Sequence, residues 1–227
     1  MKKIGIIGGM GPESTISLMQ KIFEITDAKN DQEHVPLLVD NNTQVPSRID
    51  FIINENGLNP LPVLLKMAKA LEKSGAEALA MPCNTAHIFE EEIRASISIP
   101  FISIVEEAIS FLNTMKISET RIGIFASPAV KITRLFEAAL NRNNMTAVYV
   151  GENKLLLSLI NKIKAKEELP TDLLEKLTVQ ISKEEIDLIL ISCSEFSVIS
   201  NIVSQYFKNP VVDTLDILAT KIVNFSR

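Results

Sequence analysis

Two stretches decide the fold: Ala78-Leu79-Ala80-Met81-Pro82-Cys83-Asn84-Thr85-Ala86-His87 in the first half, and Leu188-Ile189-Leu190-Ile191-Ser192-Cys193-Ser194-Glu195 in the second. Each begins as a short apolar run and turns at once to small polar residues. Such a run reads as a strand buried on both faces, the habit of parallel sheets covered by helices. The chain has two cysteines. They stand at matching places, just beyond the two strands.

The match extends outward. Pro100 follows Cys83 by 17 residues and opens an apolar strand; Pro210 follows Cys193 by 17 and does the same. An acidic residue stands six places further on in each case, Glu106 and Asp216. Lys3-Ile4-Gly5-Ile6 is echoed by Arg121-Ile122-Gly123-Ile124. Residues 77–108 and 187–218 therefore read as two copies of one strand, Cys loop, helix, strand, helix unit.

The remaining elements alternate. Strands are expected at 3–9, 35–39, 77–82, 100–104, 121–125, 146–150, 187–191 and 210–213. Helices are expected at 13–26, 59–74, 86–96, 105–115, 129–142, 153–165, 170–184 and 196–206, with a last one from Thr214. Residues 40–48 read as a polar loop. Gly8-Gly9-Met10-Gly11-Pro12 is a tight turn into a helix, a setting that suits an anion. Its spacing is not that of a dinucleotide fingerprint or a nucleotide phosphate loop. Alternation of this kind predicts an α/β fold with parallel sheets, and ligands beyond the carboxyl ends of the strands. The expected domains are 1–115 plus 210–227, carrying Cys83, and 116–209, carrying Cys193.

Composition excludes several functions. A net charge of −5 argues against a nucleic-acid partner. No apolar stretch approaches the roughly 20 residues that span a bilayer, so no membrane association and a cytoplasmic location are expected. Two cysteines in a cytoplasmic chain do not suggest a permanent disulfide. Two cysteines and two histidines without close spacing do not make a zinc site, so no metal is expected.

A single cysteine is ordinarily a small buried hydrophobe. Two at equivalent strand ends, each beside side-chain amides or hydroxyls, point to paired thiols. Each precedes a helix start, which favours thiolate. Asn84 and Thr85 can cap the helix, hold a substrate carboxylate, or do both. His87, near a helix start, reads as a capping or surface histidine. One thiol on each side of a carbon is what inversion of a stereocentre needs: one face loses a proton and the other gains one.

The Gly8–Pro12 turn, Gln44-Val45-Pro46-Ser47-Arg48, Cys83-Asn84-Thr85-Ala86-His87, Cys193-Ser194-Glu195 and Pro210-Val211-Val212-Asp213-Thr214 occur in this order with the spacing of the aspartate racemases. The chain resembles that family, within the aspartate/glutamate racemase superfamily, over nearly its whole length. The resemblance implies two Rossmann-like domains related by a pseudo-two-fold axis, with the active site in the cleft between them, commonly as a homodimer. It implies racemisation of an amino acid without a cofactor such as pyridoxal phosphate, most naturally L- and D-aspartate. It assigns Cys83 and Cys193 as acid/base thiols, Asn84 and Thr85 to the α-carboxylate, Arg48 to a carboxylate, and Lys164 to the second carboxylate, with Lys162 and Lys166 as competitors. Met10 and Gln44 would line the cleft, and Ser127 and Ser194 would face substrate.

Two departures stand out, the second bearing on specificity. Ser192-Cys193-Ser194-Glu195 replaces the family's Gly-Cys-Thr-Glu, placing a side chain at Ser192. Ser127-Pro128-Ala129-Val130 replaces a loop that usually carries Gly-Thr. A glutamate or broad-specificity racemase, a related isomerase or decarboxylase, and a non-enzymatic amino-acid sensor are the alternative readings.

Overall fold

The computed structural model describes residues 1–54, 57–115 and 120–227. Two four-stranded parallel sheets carry the fold. The first holds β1 (Ile4–Gly8), β2 (Leu37–Asn41), β3 (Ala78–Ala80) and β4 (Phe101–Ile102) in the order β2-β1-β3-β4. The second holds β5 (Arg121–Phe125), β6 (Thr146–Tyr149), β7 (Leu188–Ile191) and β8 (Val211–Asp213) in the order β6-β5-β7-β8. The repeat seen in the sequence is kept to the level of single hydrogen bonds. Leu79 N–H donates to the Pro100 carbonyl at 2.8 Å, and Ile189 N–H to that of Pro210 at 2.9 Å. Lys3 N–H donates to the Glu77 carboxylate, and Arg121 N–H to that of Asp187, both at 2.8 Å.

Both faces of each sheet are covered, which explains the unbroken apolar strands. In β7, Leu188 and Leu190 point into a central core with Ile4, Ile6, Ala78, Ala80, Ile122 and Ile124. Ile189 and Ile191 point the other way, against α8 (Asn153–Ala165) and α9 (Thr171–Ile181). On the first sheet Ile7, Leu79 and Met81 likewise turn outward, toward α3 (Leu61–Lys73) and α4 (Glu90–Ala95). The central core also takes in α1 (Pro12–Ile25), α5 (Ile104–Thr114) and α12 (Thr214–Ser226). Each buried Leu or Ile contributes on the order of 1.5–3 kcal/mol, so the core shared by the two halves ties them together.

Strand β8 is hydrogen-bonded to β7 and stays in the second sheet, while α12 packs on α1 and α5. Of the segment 210–227 expected with the first domain, only the helix crosses over. The boundary expected between 115 and 116 adjoins residues 116–119, outside the described residues. Three expected helices are subdivided. Arg134, at φ 51°, ends α6 (Pro128–Thr133), and α7 (Glu137–Asn141) follows after Phe136 turns into the central core. Residues 196–206 contain the ends of two short helices, α10 (Ser194–Val198) and α11 (Ser200–Val203). Residues 84–89 form a 3₁₀ turn before α4 begins. The expected loop 40–48 is shortened at its end, because Ser47 caps a helix α2 (Arg48–Ile53) by accepting from Asp50 N–H.

The glycine turn holds that loop in place. Gly9 has φ +89°, and a Cβ there would stand 2.2 Å from the Asn42 carbonyl oxygen. Gly9→Ala is expected to destabilise the protein by about 2–3 kcal/mol and to displace the Asn42–Arg48 segment. A shift in the urea midpoint, with activity falling further than the fraction unfolded, is the outcome to look for.

Candidate active site

Cys83 and Cys193 sit at equivalent strand ends with nearly the same backbone, φ −143° ψ 100° and φ −143° ψ 122°. Cys83 heads the 3₁₀ turn at 84–89 and Cys193 heads α10. Both are 5% exposed.

Each cysteine carbonyl is approached from behind by a side chain four residues on. In the first half it is His87, whose Nδ1 lies 2.8 Å from the Cys83 carbonyl oxygen. Its Nε2 accepts from Ile104 N–H at 3.2 Å, so the hydrogen is on Nδ1. Burial pushes the His87 pKa down and keeps the ring neutral. The expected capping or surface histidine is thus a buried brace. In the second half Ser197 takes this place. Its Oγ lies 3.4 Å from the Cys193 carbonyl oxygen and donates to Asp213 Oδ1 at 2.6 Å. The same Asp213 oxygen caps α12 by accepting from Leu215 N–H.

The two loops are joined across the molecule. Thr214 Oγ1 donates to the Ile191 carbonyl at 2.9 Å, so it can only accept from Asn84 Nδ2, 3.2 Å away. That fixes the amide orientation and uses one of the two Asn84 amide hydrogens. Asn84 Oδ1 is left buried without a partner. Thr85 Oγ1 lies 3.2 Å from Ser127 Oγ. Ser127 and Ser194, both 3% exposed, belong to this dry floor. Ser192 is accommodated: its hydroxyl donates to the Leu190 carbonyl, and no side chain of it reaches solvent.

A cleft of about 650 Å³ reaches the second cysteine loop at Glu195; it is walled by Gly9, Thr43 and Arg48 from the first half and by Lys164, Lys166 and Glu195 from the second, and neither buried cysteine lines it. Arg48 folds back at the start of α2, with Nη1 donating to the Val45 and Pro46 carbonyls at 3.2 and 2.9 Å. Its Nε is buried and unpartnered. Lys164 Nζ stands 3.3 Å from Glu195 Oε1. Lys162 points to Glu167 instead, at 2.9 Å, which leaves Lys164 and Lys166 on the cleft. Gln44 is exposed, and its amide donates to Thr43 Oγ1. Met10 is 2% exposed and packs into the core with Ile7, Val45 and Met67.

Cys193 differs from the expected thiolate. Its Sγ donates to Glu195 Oε2 at 3.2 Å. Burial, and then the Glu195 carboxylate, push its pKa well above the usual thiol range. The short α10, with five residues, does not offset this.

Asp213, Ser197, Thr214 and Glu195 are site residues that had no assigned role in the sequence. A signal was present: with the cysteines superposed, Glu195 matches Thr85, Ser197 matches His87 and Asp213 matches Ser103. Burial raises the Asp213 carboxyl to a pKa of about 6, and its Oδ2 has no partner. The native state therefore binds its proton more tightly than the unfolded chain. That contribution to stability is complete below about pH 4 and lost as pH rises through about 6, roughly 3 kcal/mol in all. Asp213→Asn should flatten stability against pH across this window, as read from urea midpoints at successive pH values.

Comparison with known proteins agrees with the geometry. The sequence model of the Asp/Glu/Hydantoin racemase family matches residues 7–222. The broad specificity amino-acid racemase RacX of Bacillus subtilis is 26% identical over 97% of this chain and 96% of that protein. The structure of an aspartate racemase from Picrophilus torridus superposes with a TM-score of 0.87 at 26% identity, covering 100% of this chain and 94% of that one. An aspartate racemase homologue from Pyrococcus horikoshii superposes with a TM-score of 0.76 at 21% identity, covering 100% and 99%.

Proposed function

The chain belongs to the Asp/Glu/Hydantoin racemase family and is an amino-acid racemase, and on that premise we propose that it interconverts L- and D-aspartate by a two-thiol proton transfer. The observation that carries the substrate reading is a pair of cations, Arg48 from the first half and Lys164 from the second, lining one cleft that meets the Cys193 loop at Glu195. A dicarboxylate is the amino-acid class that uses both.

In this reading the thiolate of one cysteine takes the α-hydrogen as a proton. The electron pair stays on the carbon and spreads into the α-carboxylate. The thiol of the other cysteine then returns a proton to the opposite face. The first cysteine ends as thiol and the second as thiolate, so the reverse reaction starts from the product form. The α-hydrogen of an amino acid is weakly acidic, so the developing charge must meet fixed donors in a site free of water. The buried floor supplies the dry setting. The backbone N–H groups of Asn84 and Thr85, at the start of the 3₁₀ turn, are the donors for the α-carboxylate. Asn84 Oδ1, an unused buried acceptor, suits the α-ammonium group. The reading includes two domains closing to exclude water from the developing charge, a homodimer as the family resemblance implies, and a cytoplasmic location as expected from the composition.

Incubation with L-aspartate in deuterated water without added cofactor tests it, with optical rotation and α-hydrogen exchange followed together. Decay of rotation to zero with full exchange is the expected result. Carbon dioxide release, or binding without exchange, would overturn it. RacX favours a second reading, a broader substrate range, and the apolar Ala129-Val130 pair beside Ser127 agrees with it. L-glutamate and neutral amino acids run beside aspartate separate the two: turnover of neutral substrates at a comparable rate would remove the requirement for a second carboxylate.

A further inference from the structure

We propose that Glu195 is the positioning residue that makes the two faces of the site unequal, holding Cys193 as the resting proton donor and leaving Cys83 to act as the resting base. The inference rests on the two-thiol reading above, but its central test needs no substrate.

The repeat isolates the difference. The two cysteines share backbone geometry, burial and place in their sheets. Two residues beyond them the halves diverge. Thr85 is neutral and bonds to Ser127. Glu195 is acidic and its Oε2 lies 3.2 Å from Cys193 Sγ. An ionised carboxylate only accepts, so that contact requires the hydrogen to be on sulfur. A thiolate there would face a second anion in a site screened from water. Glu195 is also held in place: its Oε1 pairs with Lys164 at 3.3 Å, and the side chain is 12% exposed. Lys164 is 41% exposed, so the pair orients Glu195 more than it stabilises the fold. Lys166, Arg48 and Glu13 also line this cleft. Asp213 faces Cys193 from the head of α12 through Ser197. Of these groups it is Glu195 whose carboxylate meets the sulfur directly.

Substrate then has a defined entry point. An anionic side group that takes Lys164 must share it with Glu195 or displace it. The free enzyme meets first the enantiomer whose α-hydrogen lies toward Cys83. Steady-state kinetics cannot display this preference directly, because the equilibrium constant of a racemisation is one and kcat/KM must be equal in the two directions. A chemical readout of the thiols is therefore the right test.

The experiment is alkylation of the intact protein by iodoacetamide across pH, with the modified cysteine identified by peptide mass spectrometry and Cys83 as the internal reference. Thiolate is the reacting form. Glu195→Gln keeps the shape and removes the charge, so Cys193 should alkylate about tenfold faster near pH 8 while Cys83 stays within about twofold. Lys164→Met removes the opposing cation and should slow Cys193. A general loosening of the site would speed Cys193 in both variants, so the opposite signs separate electrostatics from disorder. If Glu195→Gln does not fold, Lys164→Met decides alone: slower Cys193 alkylation supports the proposal and faster or unchanged alkylation overturns it. Coincident rate–pH curves for Cys193 in Glu195→Gln and the unsubstituted protein also overturn it. A protein that follows these expectations yet leaves aspartate untouched would reject the substrate reading and keep the role of Glu195.

Discussion

Cys83→Ala and Cys193→Ala are each expected to lower racemisation of L-aspartate by about 10⁴-fold, because in the proposed two-thiol transfer each removes the proton carrier for one face of the α-carbon. Neither change should unfold the protein. Each thiol is a small side chain at the edge of a core cluster, and losing one sulfur from such a site costs about 1 kcal/mol. The residual chemistry is the more informative part. A protein with one thiol can still exchange the α-hydrogen of the enantiomer that presents it to that thiol, without inverting it. Cys83→Ala and Cys193→Ala should therefore wash deuterium into opposite enantiomers of aspartate. Racemisation at the unsubstituted rate in either variant would remove the two-thiol mechanism.

Arg48→Ala is expected to reduce kcat/KM by about 10²–10³-fold, the scale of losing one preorganised donor to a developing anion. The guanidinium is aimed by two fixed carbonyls, those of Val45 and Pro46, which leave the rest of the fork for a carboxylate. Lysine has a single ammonium and cannot hold both carbonyls and a substrate oxygen in one plane. Arg48→Lys should then recover little of the loss. The stability change in either variant should stay near 1 kcal/mol, since Arg48 is partly exposed and its hydrogen bonds to the fold are the two to the Val45 and Pro46 carbonyls. Chemical denaturation measured beside kinetics separates the two effects. An Arg48→Ala protein that racemises aspartate normally would cancel the clamp.

Much of this was legible along the chain. The strands, the glycine turn and the duplicated unit come from local composition and spacing, and the same spacing reappears as matched hydrogen bonds at Pro100 and Pro210. The helices starting at Pro128 and Ser194 were harder to read. Their apolar residues continue past the breaks at Arg134 and Ile199, and periodicity does not register a turn such as the one after Arg134 that precedes the buried Phe136.

By itself the sequence determined a parallel α/β architecture, its internal repeat and the two cysteine loops, because apolar runs, glycines and prolines act on their near neighbours. Tertiary structure alone decided that β8 and α12 serve different halves, that His87 is a buried brace, that Lys164 rather than Lys162 meets the cleft, and that Cys193 rests against Glu195. Those outcomes depend on which side chains are brought together from distant segments and removed from water. Burial and an adjacent carboxylate together act on Cys193 more strongly than the helix end that the sequence shows beside it.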